Sequence, residues 1–357
     1  MRTIVRFFSQ FLFSSIRRRT VSLQPSGYIR GMKISLVCMV MLVTSFFQSC
    51  KQLPEVPIKI ERLEQSLFTI PIDSIPASIH RLEQQYGELL YMYCGGVISI
   101  GTPRDADYPE ELTRFLTDSD MNRAYKRVME VYPDLNVIEK GLSKAFSRYQ
   151  SVFPDRVIPS VYTVISGFNQ SMITSDTILV IALDKYLGKE EDMYISLNLA
   201  NYQRYVMDRK YVVPDCMKAW LYTEFPSIDS VDNVLNNILY EGKMMYALHQ
   251  FLPETPDSLI FGFTPDQVNW CRNNTAQMWT FLVEKKLLYS TDFFTINKLI
   301  GPAPFCSLFT RESPGRAAIW LGYQIINSYM KNNKVTLESL LLDNDYQLIL
   351  SKAKFKP

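Results

Sequence analysis

Two short runs rich in Val, Ile and Thr, 159–167 and 177–183, are followed by nearly unbroken helical periodicity from 193 to 350, and this asymmetry constrains the fold most. The β-branched runs are bounded by Asn169-Gln170 and Ser175-Asp176, so they read as paired strands joined by a polar loop. After Gly188, apolar residues recur every three or four positions and predict helices over 193–208, 213–224, 230–252, 264–287, 292–299, 315–331 and 336–350. Upstream, 60–67 alternates like a first strand, and Pro71 and Pro76 break it. Helices are expected at 77–91, 107–118, 119–130 and 140–153, with Ser119 or Asp120 capping the third of these. The expectation is an α+β fold: a small central β-sheet and a mostly helical C-terminal two-thirds. No internal repeat or low-complexity segment interrupts it.

The first fifty residues do not fit that body. Lys33 precedes an apolar stretch over 34–47, which is shorter than the roughly 20 residues needed to span a bilayer core. Small Ser49 then stands before Cys50, an arrangement that resembles the bacterial lipobox, although Phe47 and Gln48 replace its usual aliphatic and small residues. Residues 1–49 are therefore read as a lipoprotein signal region, with translation starting at Met32, and Cys50 as the lipidated residue. Residues 50–59, with Pro54 and Pro57, read as a tether, and 60–357 as one globular domain. Lys51-Gln52 after Cys50 lacks the acidic run that resembles a lipoprotein surface-export signal, which favours the periplasmic face of the outer membrane.

Charge narrows the partners. The segment 1–49 holds seven Lys or Arg and no acid, so the 38 bases and 36 acids of the chain become 31 and 36 in the remainder, a net charge of −5. Nucleic-acid binding needs a basic stripe and is not expected. Cys94, Cys216, Cys271 and Cys306 remain in the body; no Cys-x-x-Cys pair occurs, and buried free thiols are favoured over disulfides.

Only two histidines, His80 and His249, are present, and no His-x-x-x-His occurs, so a zinc site of the His-Glu-x-x-His kind cannot be assembled. The glycine signatures of nucleotide-binding loops and of the α/β-hydrolase elbow are missing as well. No catalytic residue, metal or cofactor is predicted.

Two segments remain unusual. In Tyr240-Glu241-Gly242-Lys243, a glycine inside a helix implies a close neighbour, because glycine costs about 1 kcal/mol there against alanine. Glu241 and Lys243, two apart, point to different faces, and a partly buried Glu241 needs a donor such as Arg316 or Trp270. In Ser313-Pro314-Gly315-Arg316, a turn leads into a helix whose Gly322 again permits a close crossing. Glu241, Lys243, Trp270, Trp279, Arg316 and Trp320 are the candidate pocket residues, with filling of the core as the competing role for the tryptophans.

These segments carry a resemblance. Tyr240-Glu241-Gly242-Lys243 with Tyr246, then Trp270 and Trp279, Leu287-Leu288-Tyr289-Ser290, Ala303-Pro304-Phe305, Ser313-Pro314-Gly315-Arg316, Gly322-Tyr323-Gln324-Ile325 and the final Phe355-Lys356-Pro357 resemble, in order, the gliding-motility-associated lipoprotein GldB family of Bacteroidota. Ala317-Ala318 and Tyr323 depart from the family's usual Ile-Gly and Trp. The resemblance implies a membrane-anchored envelope protein with protein partners in an envelope assembly and no assigned reaction. The sheet followed by a Glu-Gly helix also looks like a zincin-type peptidase relative lacking the metal motif, with Glu241 in the place of a third ligand. An envelope hydrolase and a small-ligand-binding module are the alternatives.

Overall fold

A computed structural model describes residues 55–227 and 232–357. The leader, Cys50 and the first part of the tether lie outside the described residues. Four strands, β1 (Ile60–Arg62), β2 (Ser160–Val164), β3 (Met172–Thr174) and β4 (Ile178–Ala182), form one sheet in the order β1-β2-β4-β3. β1 and β4 both run parallel to β2, while the edge strand β3 is antiparallel to β4. The α+β class expected from the sequence is the one found.

The two Val/Ile/Thr runs do pair, but in parallel, with Val161 opposite Leu179 and Thr163 opposite Ile181. A parallel pair needs a crossover, and the intervening residues supply it by adding β3. All five residues of β4 are buried. Leu179 and Ile181 enter the larger core, whereas Ile178, Val180 and Ala182 enter the smaller one, which is period-two alternation with helices on both faces.

The smaller core is closed by α1 (Leu63–Phe68), α2 (Ile75–Tyr86), α3 (Glu88–Tyr91) and α4 (Tyr108–Thr117). The predicted strand over 60–67 is therefore mostly helix. Leu63 and Leu67, both fully buried, sit four apart as a helix face requires, and the buried Glu64 carboxylate accepts from Arg62 Nε at 2.6 Å and Thr163 Oγ1 at 2.8 Å.

On the opposite face lie α5 (Ser119–Val131) and α6 (Asn136–Val152). Asp118, one residue before the expected cap, accepts from the backbone N–H groups of Asp120 and Met121. α6 also holds part of the segment read as a tether. The N–H groups of Val56, Ile58 and Ile60 donate to Ser147 Oγ (2.9 Å), Ser143 Oγ (3.0 Å) and Glu139 Oε1 (3.0 Å). Two extended residues advance about 6.6 Å and four helical residues about 6 Å, so an antiparallel strap and a helix stay in register over three bonds. Residues 55–59 are thus part of the body, and any free tether is shorter than 50–59.

The remaining helices are α7 (Asp192–Ser196), α8 (Asn201–Tyr205), α9 (Val212–Glu224), α10 (Val234–Phe251), α11 (Asp257–Phe261), α12 (Pro265–Glu284), α13 (Phe293–Ile300), α14 (Ala317–Asn332), α15 (Leu337–Leu342) and α16 (Tyr346–Ala353). The predicted helix over 193–208 divides into α7 and α8 because Asn198 adopts a left-handed conformation, φ 53°. The one over 336–350 divides where Asp343 leaves the helix and Asp345 caps α16. α10 and α14 cross at two glycines: a Cβ on Gly322 would stand 1.7 Å from Ile238 O, and one on Gly242 would stand 2.4 Å from the Gly322 carbonyl carbon. Among the described residues no helix is long and apolar enough to cross a membrane.

Candidate functional site

The α10–α14 crossing positions the chemistry. Glu241 precedes Gly242 on α10, and Arg316 is the residue from which α14 starts, held left-handed at φ 62°. Its neighbour Gly315 has no room for a side chain, since a Cβ would lie 2.0 Å from Ala303 O. That packing fixes the direction from which Arg316 reaches the site. Glu241 Oε2 accepts from Arg316 Nη2 at 3.4 Å and from Tyr222 Oη at 2.7 Å. Of the donors named from sequence for Glu241, Arg316 is the one in contact.

Tyr222 belongs to α9, and with Asp215 and Lys218 it occupies one face of that helix at spacings of three and four. Sequence reasoning missed this face because it sought histidine at that spacing and not other polar side chains. Burial pushes the Lys218 ammonium down to about 8, and the nearby Arg316 guanidinium adds to the effect against the opposing pull of Glu241 and Asp215. Burial raises Asp215, whose Oδ2 accepts from Tyr186 Oη at 2.9 Å. The site is thus a half-buried mosaic of two cations, two carboxylates and two phenols.

Zinc held by a peptidase-type helix requires two histidines at i and i+4 on one face. Here those positions, facing Glu241, are Lys218 and Tyr222. Glu241 offers one carboxylate, and its Oε2 is already engaged by two donors. The residues present do not fit a zinc ion, and no group of three His, Cys, Asp or Glu suited to a metal occurs among the described residues.

Beside Arg316 opens a cleft of about 500 Å³, between α8, the Gly262 turn after α11, the loop at 302–304 and the start of α14. Arg316 is the candidate pocket residue that lines it. Lys243 lies elsewhere: it is fully buried, and its Nζ donates to Asp343 O at 2.8 Å and Leu341 O at 3.3 Å, closing the C-terminal end of α15. The tryptophans do not share a pocket either. Trp320 donates to Thr275 Oγ1 at 3.1 Å beside a separate cavity that includes Asp257 and Arg272. Trp279 packs edge-on against Phe355, with ring centroids 5.6 Å apart, and Trp270 is half-buried against the larger core. His249 stacks on Tyr323 at 4.9 Å, and burial lowers its pKa.

No curated protein and no solved structure matches the chain significantly. A family model described as gliding motility protein GldB, a lipoprotein family of the cell envelope, matches residues 48–357. That match takes in Cys50 and the whole described body, and the chain belongs to this family.

Proposed function

We propose that this protein is a lipid-anchored component of an envelope assembly, held to the outer membrane through Cys50, facing the periplasm and working by binding protein partners, not by catalysis. The observation that carries the non-enzymatic part is the engagement of Glu241 by Arg316 and Tyr222, with Lys218 and Tyr222 at the spacing that metal-ligating histidines would need. An ammonium and a guanidinium take up the negative charge that a hydrolase of this layout would direct at its metal. The arrangement fits a zinc-peptidase scaffold whose metal face has been replaced, and this second reading of ancestry rests on that spacing alone.

Two measurements test the proposal separately. Mass spectrometry of the purified chain should find acyl chains on Cys50, and Cys50→Ala should release the protein from membranes; an unmodified Cys50 in membrane-bound protein sinks the anchor. Metal analysis should find no stoichiometric zinc; zinc at one per chain, lost in Glu241→Ala, sinks the non-enzymatic reading. Protease treatment of intact cells should leave the body uncut if it faces the periplasm, and affinity capture of the lipidated form should recover envelope proteins.

A further inference from the structure

The described residues that line the 500 Å³ cleft include two charged side chains, Lys185 and Arg316, and no carboxylate. In a chain whose net charge beyond residue 49 is −5, a cavity lined by two cations is a selective feature. Arg316 is only partly satisfied. Its Nη2 reaches Glu241 at 3.4 Å and its Nε reaches Ile300 O at 3.3 Å, which leaves Nη1 without a hydrogen-bond partner among the described residues. Lys185 gives one bond, to Phe168 O at 2.9 Å, and keeps two protons for other acceptors. The N-terminus of α14, a helix of 16 residues, adjoins the cleft through Pro314, Gly315 and the N-cap residue Arg316, with no acidic residue in the first turn and no side-chain cap, so its positive end adds to the field. The other walls are largely apolar and include Tyr205, Phe261, Phe263 and Pro304. The volume suits a small ligand.

We propose that this cleft binds an organic carboxylate with an apolar body, the carboxylate on Arg316 and Lys185 and the body along Tyr205, Phe261 and Phe263. Glu241 already offsets part of the Arg316 charge, so the excess matches a single negative charge better than a phosphate. The planar guanidinium also matches a carboxylate in shape. Such a group occurs at the C-terminus of an apolar peptide and on a fatty acid. The inference stands apart from the anchor and from the non-enzymatic reading, since neither enters its argument.

The test is calorimetric titration of the full chain in nanodiscs with acetyl-Leu-Leu-Phe as free acid and as amide, with octanoate and octanol, and with inorganic phosphate. At least one free acid should bind, and its neutral counterpart should bind at least tenfold more weakly; the tighter pair identifies the source. Arg316→Gln should erase that difference. Lys185→Gln, on another element, should weaken the acid severalfold while leaving the neutral compound unchanged, which covers the case of an unfolded Arg316 variant. Equal binding of acid and neutral compound, no binding of either acid at millimolar concentration, or phosphate binding as tight as the acid overturns the proposal. A failed titration leaves acylation of Cys50 and the zinc content unaffected, so the two proposals fail separately.

Discussion

Replacing Gly322 by alanine should destabilise the protein although alanine is the better helix former. In an open helix the change gains about 1 kcal/mol. Here the new Cβ would lie 1.7 Å from Ile238 O and 2.6 Å from Ile238 C, both main-chain atoms that cannot turn aside. Reaching an ordinary contact of 3.4 Å requires α10 and α14 to separate by about 1.7 Å. A radial gap of only about 0.5 to 1 Å already forfeits a quarter to a half of each dispersion contact. The two helices carry Leu235, Ile238, Leu239, Met245, Ile319, Ile325 and Ile326, all buried in the larger core. A cost at or just above the upper end of overpacking, about 4 kcal/mol, leaves a net loss of about 3 kcal/mol. With an unfolding entropy of roughly 2.1 cal/mol/K per residue over about 300 residues, the melting temperature should fall by about 5 °C. Scanning calorimetry of wild type and Gly322→Ala measures this, with Gly96→Ala as the control, because a Cβ at Gly96 meets nothing within 4 Å. A Gly322→Ala protein melting at or above the wild-type temperature refutes the reasoning.

Lys218 predicts a pH effect. Its folded pKa is about 8 against 10.5 for a free lysine, so the unfolded chain binds more protons between those values and this group makes stability rise with pH across that window. Urea titrations at pH 7 and pH 10 should show Lys218→Met gaining on wild type at pH 7 and losing that advantage by pH 10; a difference independent of pH contradicts the assignment. The double variant Lys218→His with Tyr222→His should acquire one zinc per chain by metal analysis, since both positions face Glu241, and failure of a folded double variant to bind zinc removes the peptidase-ancestry argument. Cys94, Cys216, Cys271 and Cys306 are free and buried, and burial pushes the Cys94 thiol up to about 12. A thiol-reactive chromophore should modify these four only after denaturant is added, and rapid labelling of the native body contradicts their burial.

Much of the helical body was legible because long amphipathic runs and side-chain caps are local signals. The helices expected over 264–287 and 292–299 are found as α12 and α13, with Thr264 capping α12 through a reciprocal bond with Gln267 and Asp292 capping α13. The parallel register of β2 and β4 was not legible, because it depends on a crossover that carries the three-residue edge strand β3, and short strands have no periodicity of their own. The glycine argument worked at Gly242 and Gly322, where the backbone of the facing helix leaves no room for a side chain. The contact of Glu241 with Arg316 followed from the need of a half-buried carboxylate for a donor. Lys218 was missed because a lysine on a helix ordinarily reads as solvated, and only the packing around α9 makes it otherwise. The tryptophans misled for the opposite reason: large aromatic groups say that a region is packed, and nothing about what shares the space.

The strap over 56–60 sets a leash length. Six residue steps lead from Cys50 to Val56, whose N–H is already fixed to Ser147 on α6. Fully extended, they span about 20 Å, close to the radius of gyration of roughly 19 Å expected for a body of 300 residues. A lipid on Cys50 would therefore do more than confine the protein to a membrane: it would keep Val56 within about 20 Å of the lipid-bearing residue and so limit tumbling. An inserted linker that left folding untouched would relax that limit, which makes leash length a variable separate from anchoring itself.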